Sequence, residues 1–413
     1  MGGGKFVARK QTNNEMVMKN FIHTFVVALV LLVAACSNAN QKQVDAEVKP
    51  ELPAGAIEMR YERHIYCDVM LRDSIPARMI FDTGCTNLLL DSTFYAEQFA
   101  KDGNLRKAML SGAGGGMELA NIDASKWSYR IGEDAMTENM AVVLNLRKIV
   151  GNEADGMFGM MFMKGKRVEI NYANSYMRFL ATEEKIGEDY TRIPFTWDGQ
   201  RMVLPLAITM SDGYVFEGRF LVDTGMAGTL SLNSTTANRL ESAKYLADAK
   251  SMSYLVGGIG GGRKDYLFKT PQIALGGHAI KDVMITWSSN KEGSSASNNY
   301  DGLIGNELLE RFDVIFDFAG SAVYLRPNKN FDRPEPNFFG VALTPMADHW
   351  IVNGLLKGGN AEKAGLRQGD RIEKINGMTA DVPNTRTLNL LPDKLTLSVL
   401  RNNNLIEIVV NKE

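Results

Sequence analysis

Three short motifs recur in the same order along this 413-residue chain, and this repeat constrains the fold more than any other feature. An apolar run leads into Asp82-Thr83-Gly84, and another leads into Asp223-Thr224-Gly225. Further on, an Asp-Gly pair opens a short apolar segment that ends in glycine, at 155–159 and again at 301–305. A Gly-rich stretch between these two motifs is the third. Three motifs in one order at nearly one spacing indicate an internal duplication.

Each half of the repeat predicts a β-rich unit. The apolar runs before the Asp-Thr-Gly triplets predict buried strands, and the triplets themselves are typical of tight turns. Strand-like tails follow at 168–172 and 314–318. A Gly-rich stretch lies between the paired motifs in both halves, at 111–116 and 256–262. The duplicated unit is therefore predicted to be strand, turn, Gly-rich hairpin and strand.

This order of motifs resembles that of the pepsin and retropepsin families of aspartic peptidases, over residues 57–326. The resemblance implies a mostly β, bilobal fold in which each lobe supplies an Asp-Thr-Gly loop and a mobile flap. An apolar-apolar-Gly strand threads under each loop, and Met157-Phe158-Gly159 and Leu303-Ile304-Gly305 match it. The flap positions that the resemblance implies are Gly112, Gly114, Gly115, Gly116, Gly257, Gly258, Ile259, Gly260 and Gly261.

The same resemblance implies that Asp82 and Asp223 are the catalytic residues. Peptide hydrolysis without a metal or a nucleophilic side chain needs one group to deprotonate water and another to protonate the leaving nitrogen. Two carboxylates about 3 Å apart cannot both ionise, so they share one proton and can fill both roles at one pH. No cofactor is needed, and one chain with both lobes can act as a monomer.

By resemblance, four residues support this pair of aspartates. The hydroxyl groups of Thr83 and Thr224 would brace the two loops across a pseudo-twofold axis. The glycines that follow, Gly84 and Gly225, allow the backbone to turn close to the carboxyl groups.

The position after each triplet departs from the family pattern. Cys85 and Met226 stand where pepsin-like enzymes usually have Ser or Thr, and where retropepsins commonly have Ala. A hydroxyl group there would favour the ionised aspartate by a hydrogen bond. Its absence predicts a working pH nearer neutrality. Cys85 and Cys67 could be buried thiols, or a disulfide in an oxidising compartment.

Other ligands are disfavoured by the sequence. Neither Gly-rich stretch continues as Gly-Lys-Ser/Thr or completes a dinucleotide fingerprint, so a flap is favoured over a phosphate site. Four His and three Cys are scattered along the chain and predict no metal cluster. The formal net charge of −2 argues against a nucleic-acid partner.

Residues 1–35 predict a bacterial lipoprotein signal peptide with an upstream extension. The apolar run at 21–33 is shorter than the roughly 20 residues of a membrane span. It leads into Ala34-Ala35-Cys36, which resembles a lipobox and implies lipid attachment at Cys36. The predicted location is the cell envelope, periplasmic or surface-facing, and Ser37 in place of Asp favours the outer membrane. An uncleaved anchor or a plain secretory signal would also export the protein.

Residues 337–413 resemble an α+β PDZ domain. The resemblance rests on the stretches GGNAEKAGL at 358–366 and GDRIEKING at 369–377. PDZ domains add a peptide as a strand and hold its terminal carboxylate by backbone amides. The implied carboxylate loop is Phe338, Phe339, Gly340 and Val341. The stretch 381–391, where the second helix is expected, is short and flanked by prolines, so peptide binding and a purely structural role both stay open.

The predicted organisation is a signal peptide (1–35), a tether (36–56), a first lobe (57–180), a linker (181–192), a second lobe (193–326), a Pro-punctuated linker (327–336) and the PDZ-like domain (337–413). The predicted function is a membrane-anchored aspartic endopeptidase that cleaves extended polypeptides, with the PDZ-like domain docking substrates, partners or peptide C-termini. The alternatives are a non-catalytic peptide-binding lipoprotein that uses the same cleft and PDZ module, and a scaffold in which PDZ contacts dominate.

Overall fold

The computed structural model describes residues 51–99, 105–335, 337–380 and 393–413. Over these residues the protein is mostly β, with 49% strand and 11% helix, which confirms the predicted class. The predicted signal peptide, the predicted lipidation residue Cys36 and the stretch 381–391 lie outside the described residues. No helix in the described ranges is both long enough and apolar enough to cross a membrane.

The first half of the repeat is built from short strands and three short helices. Its strands are β1 Ala56–Glu58, β2 Arg60–Tyr61, β3 Ile65–Leu71, β4 Ile75–Phe81, β5 Leu89–Asp91, β6 Leu105–Ser111, β7 Met117–Asp123, β8 Trp127–Ile131, β9 Asp134–Glu138, β10 Ala141–Leu144, β11 Gly156–Phe158, β12 Arg167–Asn171 and β13 Tyr176–Leu180. Its helices are α1 Ser92–Phe99, α2 Arg147–Val150 and α3 Met160–Met163.

The second half and the C-terminal region also consist of strands and short helices. The strands of the second half are β14 Thr191–Pro194, β15 Thr196–Asp198, β16 Arg201–Thr209, β17 Val215–Val222, β18 Leu230–Leu232, β19 Lys250–Tyr254, β20 Arg263–Leu275, β21 His278–Ser288, β22 Gly302–Ile304, β23 Phe312–Asp317 and β24 Ala322–Pro327. Its helices are α4 Ser242–Leu246 and α5 Asn306–Leu309, with 3-10 turns at Ser234–Asn238 and Ser294–Ala296. The C-terminal region comprises β25 Val341–Pro345, β26 Trp350–Leu356, α6 Asn360–Lys363, β27 Arg371–Ile375, β28 Lys394–Arg401 and β29 Asn404–Asn411.

The strand pairing repeats between the two halves. In the first half, β11 pairs parallel with β4 and antiparallel with β5, and β5 pairs parallel with β10. In the second half, β22 pairs parallel with β17 and antiparallel with β18, and β18 pairs parallel with β21. The sequence repeat therefore has a counterpart in the sheet, with an Asp-Thr-Gly turn at the end of β4 and of β17.

A six-stranded sheet joins the two halves, in the order β1-β13-β12-β23-β24-β14. Its central pairing is antiparallel between β12 and β23, with Ile170 opposite Val314. Both strands are buried along most of their length, because their apolar side chains pack into one hydrophobic core that spans both halves. Removal of this apolar surface from water is the main force that holds the halves together.

The C-terminal region has a core of its own, around residues such as Trp350, Val352 and Leu397. Its strand β26 also pairs antiparallel with β19, so one sheet runs from the second half into this region. The segment predicted as a linker packs against the end of α5, since the Arg311 guanidinium donates to the carbonyl oxygens of Phe331 and Arg333 at 2.9 and 2.8 Å. The C-terminal region is thus attached by hydrogen bonds as well as by the chain.

Candidate active site

The two Asp-Thr-Gly turns meet through a reciprocal set of hydrogen bonds. The Thr83 amide donates to the Thr224 hydroxyl oxygen at 2.9 Å, and the Thr224 amide donates to the Thr83 hydroxyl oxygen at 3.1 Å. Each hydroxyl then donates across the interface at 2.8 Å, Thr83 to the carbonyl of Val222 and Thr224 to that of Phe81. Both threonines are fully buried, so these bonds satisfy groups that water cannot reach.

This bracing places the Asp82 and Asp223 side chains side by side, each partly exposed and each close to the turn that carries the other. The turns leave no space for a side chain at the residue after either threonine. A Cβ atom on Gly84 would lie 2.7 Å from Cγ of Asp223, and one on Gly225 would lie 2.5 Å from Cγ of Asp82. Glycine is therefore required after each threonine if the carboxyl groups are to approach.

Backbone amides orient both carboxyl groups. The Gly84 amide donates to Oδ1 of Asp82 at 2.7 Å, and the Gly225 amide donates to Oδ1 of Asp223 at 3.0 Å. Burial and the neighbouring Asp223 charge raise the pKa of Asp82 well above its ordinary value. Burial also raises the pKa of Asp223, although its hydrogen bonds with Asp82 and the Gly225 amide act in the opposite direction. Such a pair holds one proton at a pH where separate carboxyl groups are ionised.

The strands β11 and β22 support the two turns from below. The Asp82 amide donates to the carbonyl of Phe158 at 3.0 Å, and the Asp223 amide donates to the carbonyl of Ile304 at 2.9 Å. The glycines that end these strands, Gly159 and Gly305, come so close to the turns that a Cβ atom at either position would clash with a carbonyl oxygen there. The apolar-apolar-Gly pattern thus has a steric cause.

The residues after the triplets provide no hydroxyl group. The Cys85 amide donates to Oδ1 of Asp82 at 3.2 Å, but its thiol donates to the carbonyl of Asn87 at 3.0 Å. Burial and the Asp82 charge raise the pKa of the Cys85 thiol well above its ordinary value, so the thiol is protonated and a poor nucleophile. Met226 packs against the buried cluster of Leu221 and its neighbours.

Both cysteines of the described part are free thiols, which answers the alternative of a disulfide. Cys67 is buried, and its thiol contacts the sulfur of Met177 at 3.3 Å. Burial raises the pKa of Cys67 to about 12. An apolar thiol in a core of this kind behaves as a small hydrophobic residue.

The two Gly-rich segments are hairpin tips that touch each other. The first tip (112–116) joins β6 to β7, and the second (255–262) joins β19 to β20. The Gly114 amide donates to the carbonyl of Ile259 at 2.9 Å, and the Gly115 amide donates to that of Gly262 at 3.0 Å. Gly258, Gly260 and Gly261 adopt positive φ angles of 129°, 98° and 91°, a conformation that favours glycine.

The tip of the second hairpin reaches into the first half. The Ile259 side chain packs against a buried cluster that includes Leu89 and Val142, and Cys85 packs against the same cluster. The second tip and the residue after the Asp82 triplet therefore pack against one cluster, and the predicted flap residues of both halves contact each other.

Two residues near the second turn have no signal in the sequence repeat. His64 Nε2 lies 3.1 Å from the carbonyl oxygen of Gly225. Buried Asn306 donates from Nδ2 to the carbonyls of Thr224 and Arg63, at 2.6 and 2.9 Å, and accepts from the Tyr172 hydroxyl at 2.9 Å. Both residues tie the second turn to the first half. Only the position of Asn306 next to Gly305 could have drawn attention to it.

The predicted carboxylate loop of the C-terminal region lies at the start of β25. Phe339 is buried, the Leu356 amide donates to the carbonyl of Gly340 at 2.9 Å, and the Glu413 amide donates to that of Phe338 at 2.8 Å. Gly340 has a φ of 71°, which favours glycine at this turn. Val341 begins β25 opposite Leu355.

A cavity of about 180 Å³ lies between part of β25 and the first half. It is lined by Leu343 and Thr344 of β25, by His64 and Tyr66, and by Ala227, the second residue after the Asp223 triplet. The C-terminal region and the second turn therefore share one cavity. Among the described residues, no group of three or more His, Cys, Asp or Glu side chains could hold a metal ion.

Comparison with known protein families identifies a PDZ domain at residues 330–391. The chain therefore contains a PDZ domain, as the sequence predicted, and the docking of peptides or partner proteins is the function that such a domain indicates. The family match begins before residue 337 and ends before β28 and β29, which complete the core of this region. No curated protein matches the chain.

Proposed function

We propose that this protein is an aspartic endopeptidase with the bilobal fold of pepsin and the retropepsins, and that its PDZ domain docks a substrate or partner. The observation that carries the proposal is the close approach of the Asp82 and Asp223 carboxyl groups, in equivalent turns that brace each other through Thr83 and Thr224. The raised pKa of both carboxyl groups supports a shared proton at a pH where separate carboxyl groups are ionised.

The proposed reaction uses this shared proton. The ionised carboxylate accepts a proton from a water molecule, whose oxygen attacks the carbonyl carbon of the peptide. The protonated carboxyl group donates its proton to the carbonyl oxygen, which gives a tetrahedral diol. As the C–N bond breaks, one diol proton returns to a carboxylate and the other carboxyl group protonates the leaving nitrogen. The pair of Asp82 and Asp223, here called the dyad, then holds one proton again, and neither aspartate is the permanent acid.

The proposed substrate is an extended polypeptide. A chain bound as a strand under the two Gly-rich tips would place successive side chains on alternate faces, with its backbone over the dyad. The tips must open to admit it, and glycines at positive φ make such movement easy. The PDZ domain would hold a second part of the same polypeptide or of a partner.

Replacement of the aspartates tests the enzyme proposal. Asp82→Asn and Asp223→Asn keep the acceptor for the Gly84 or Gly225 amide but remove the titrating group. Each is expected to lower the cleavage of a peptide library by at least about a thousandfold. Asp282→Asn, at an exposed position of β21, is the matched control. Products are identified by mass spectrometry. Equal cleavage by wild type and both dyad variants would show that another protein or site is responsible, and peptide binding without cleavage would favour the non-catalytic alternative.

We also propose that the protein is exported and anchored to the bacterial envelope through a lipid on Cys36. The support is the sequence alone, an apolar run at 21–33 that leads into Ala34-Ala35-Cys36. Cells fed with labelled palmitate are expected to label the wild type, with the protein in the membrane fraction. Cys36→Ser should lose the label and be released. Label that persists in Cys36→Ser would contradict attachment at this residue.

A further inference from the structure

The strand that leads into the second tip is hydrogen-bonded to the PDZ domain. In the antiparallel pairing of β19 with β26, Tyr254, the last residue of β19, stands opposite Gly354. A Cβ atom on Gly354 would lie 2.8 Å from the Tyr254 ring, so glycine lets the two strands approach. The tip begins at the next residue, Leu255, and the PDZ domain therefore holds the base of this hairpin.

Asn353 continues that attachment past the end of the strand. The Leu255 amide donates to the Asn353 carbonyl at 2.8 Å. The Val256 amide donates to the Asn353 side-chain oxygen at 2.9 Å, and the Asn353 side-chain nitrogen donates to the Val256 carbonyl at 2.8 Å. The amide side chain thus binds Val256 as a neighbouring strand would.

A β-bulge directs Asn353 towards the tip. The register of β25 against β26 shifts between Ala342 and Leu343, which pair with Gly354 and Val352. Asn353 is left without a partner in β25, as the extra residue of a bulge is. Asn353 also lies between two cavities. It lines the cavity beside β25 and a second cavity of about 400 Å³ next to Leu255 and Val256.

Two further contacts reinforce the attachment. The Gln368 side chain donates to the carbonyls of Ser253 and Asn353 at 2.7 and 3.2 Å, and the Lys357 amide donates to the carbonyl of Ser251 at 2.8 Å. Only two residues separate Val256 from Ile259, whose carbonyl accepts from the first tip. The anchor at Val256 therefore limits where Ile259 can lie.

We propose that Asn353 is a positioning residue through which the PDZ domain holds the second tip over the aspartate pair. The tip must move to admit a polypeptide and close again to order it, so the anchor sets the balance between open and closed cleft. The effect on catalysis rests on the proposed peptidase function, whereas the attachment of the tip does not. Asn353 acts through the hairpin and does not touch the dyad residues.

Hydrogen–deuterium exchange tests the attachment without any use of activity. Asn353→Ala removes two hydrogen bonds to Val256, and amides in 255–262 are expected to exchange about tenfold faster. Gln368→Ala, at an exposed position, should cause a smaller increase in the same segment without loss of the PDZ fold. Asn411→Ala makes the same change as Asn353→Ala at an exposed position of β29 and should leave the segment unchanged. Unaltered exchange at 255–262 in both Asn353→Ala and Gln368→Ala would overturn the proposal.

Kinetics test the consequence for the substrate. Asn353→Ala is expected to raise KM for an extended peptide about tenfold and to change kcat less than about twofold, because the dyad is untouched. Asn353→Asp keeps the acceptor for the Val256 amide, so its KM should lie between that of wild type and that of Asn353→Ala. A loss of kcat of about tenfold in Asn353→Ala, with KM unchanged, would contradict the positioning of the tip by this residue. If exchange responds as expected but wild type cleaves no peptide, the peptidase proposal fails and the attachment of the tip stands.

Discussion

His64 Nε2 lies 3.1 Å from the carbonyl oxygen of Gly225, so a side chain of the first half contacts the second Asp-Thr-Gly turn directly. A carbonyl oxygen only accepts, and Nε2 therefore carries the hydrogen. Burial and the neighbouring Arg63 charge lower the pKa of His64 to about 4. The ring is thus neutral at neutral pH, and protonation would place an unfavourable charge in the interface between the halves.

The first prediction follows from this depressed pKa. The unfolded chain binds a proton at His64 near pH 6.5 and the folded chain only near pH 4, so stability is lost as the pH falls between these values. His64→Gln keeps a donor for the Gly225 carbonyl but does not titrate. Its melting temperature should fall less than that of wild type between pH 6.5 and 4. An equal fall of melting temperature with pH in the two proteins would contradict the prediction.

The aspartate pair predicts the opposite dependence. Burial raises the pKa of Asp82 and Asp223 in the folded state, so their contribution to stability is fully present below the unfolded value near 3.8 and is lost as the pH rises. Asp82→Asn removes this loss. The variant should therefore have a higher melting temperature than wild type at pH 8, and a melting temperature close to that of wild type at pH 3.5. A gain of equal size at both values would point to packing instead of titration.

The hydroxyl network predicts a large loss of stability for small changes. Thr83→Val leaves the Val222 carbonyl without its donor and the Thr224 amide without its acceptor, both in a buried site. Two such groups are expected to cost about 3 kcal/mol in free energy of unfolding. Thr224→Val should cost a similar amount, and the double variant less than the sum, because both residues belong to one hydrogen-bond network that relaxes once either hydroxyl group is lost. Thr83→Ser keeps the hydroxyl and is the control, and denaturant titration measures all four.

The residue after the first triplet predicts the pH dependence of the proposed peptidase activity. Cys85 gives Asp82 only its backbone amide, because the thiol bonds to Asn87. A serine hydroxyl aimed at Asp82 would favour the ionised carboxylate and lower the pKa of the pair. Cys85→Ser is therefore expected to shift the pH optimum of kcat/KM towards acid relative to wild type. An optimum of the wild type that is already strongly acidic would contradict the role given to this position.

The duplicated motifs were the part of the site that sequence could reveal, because each half repeats the same local steric needs. Gly159 and Gly305 show this, since each must avoid a carbonyl oxygen of its own turn. His64 and Asn306 could not be found in this way. Asn306 follows Gly305, but Met160 stands at the equivalent place after Gly159, so comparison of the halves gives no match. Their roles come from contacts between residues far apart in the chain.

The PDZ domain was predicted from its own motifs, whereas its attachment was not. Prolines after Leu325 favour a linker, and the structure adds that Arg311 binds the carbonyls of Phe331 and Arg333 in this segment. The bulge that turns Asn353 towards Val256 depends on the register of two strands, which no local pattern specifies. Residues in tertiary pairings of this kind need the structure.

The central pairing of β12 with β23 has a consequence for biosynthesis. Ile170 and Val314, which face each other, are 144 residues apart in the chain. At roughly 5–20 residues per second, a ribosome needs about 7 to 30 seconds to make the second strand after the first. During that time the apolar edge of β12 has no partner from its own chain. Nascent polypeptides with such an edge are prone to pair with one another, and chaperone binding to the first half during translation would prevent this.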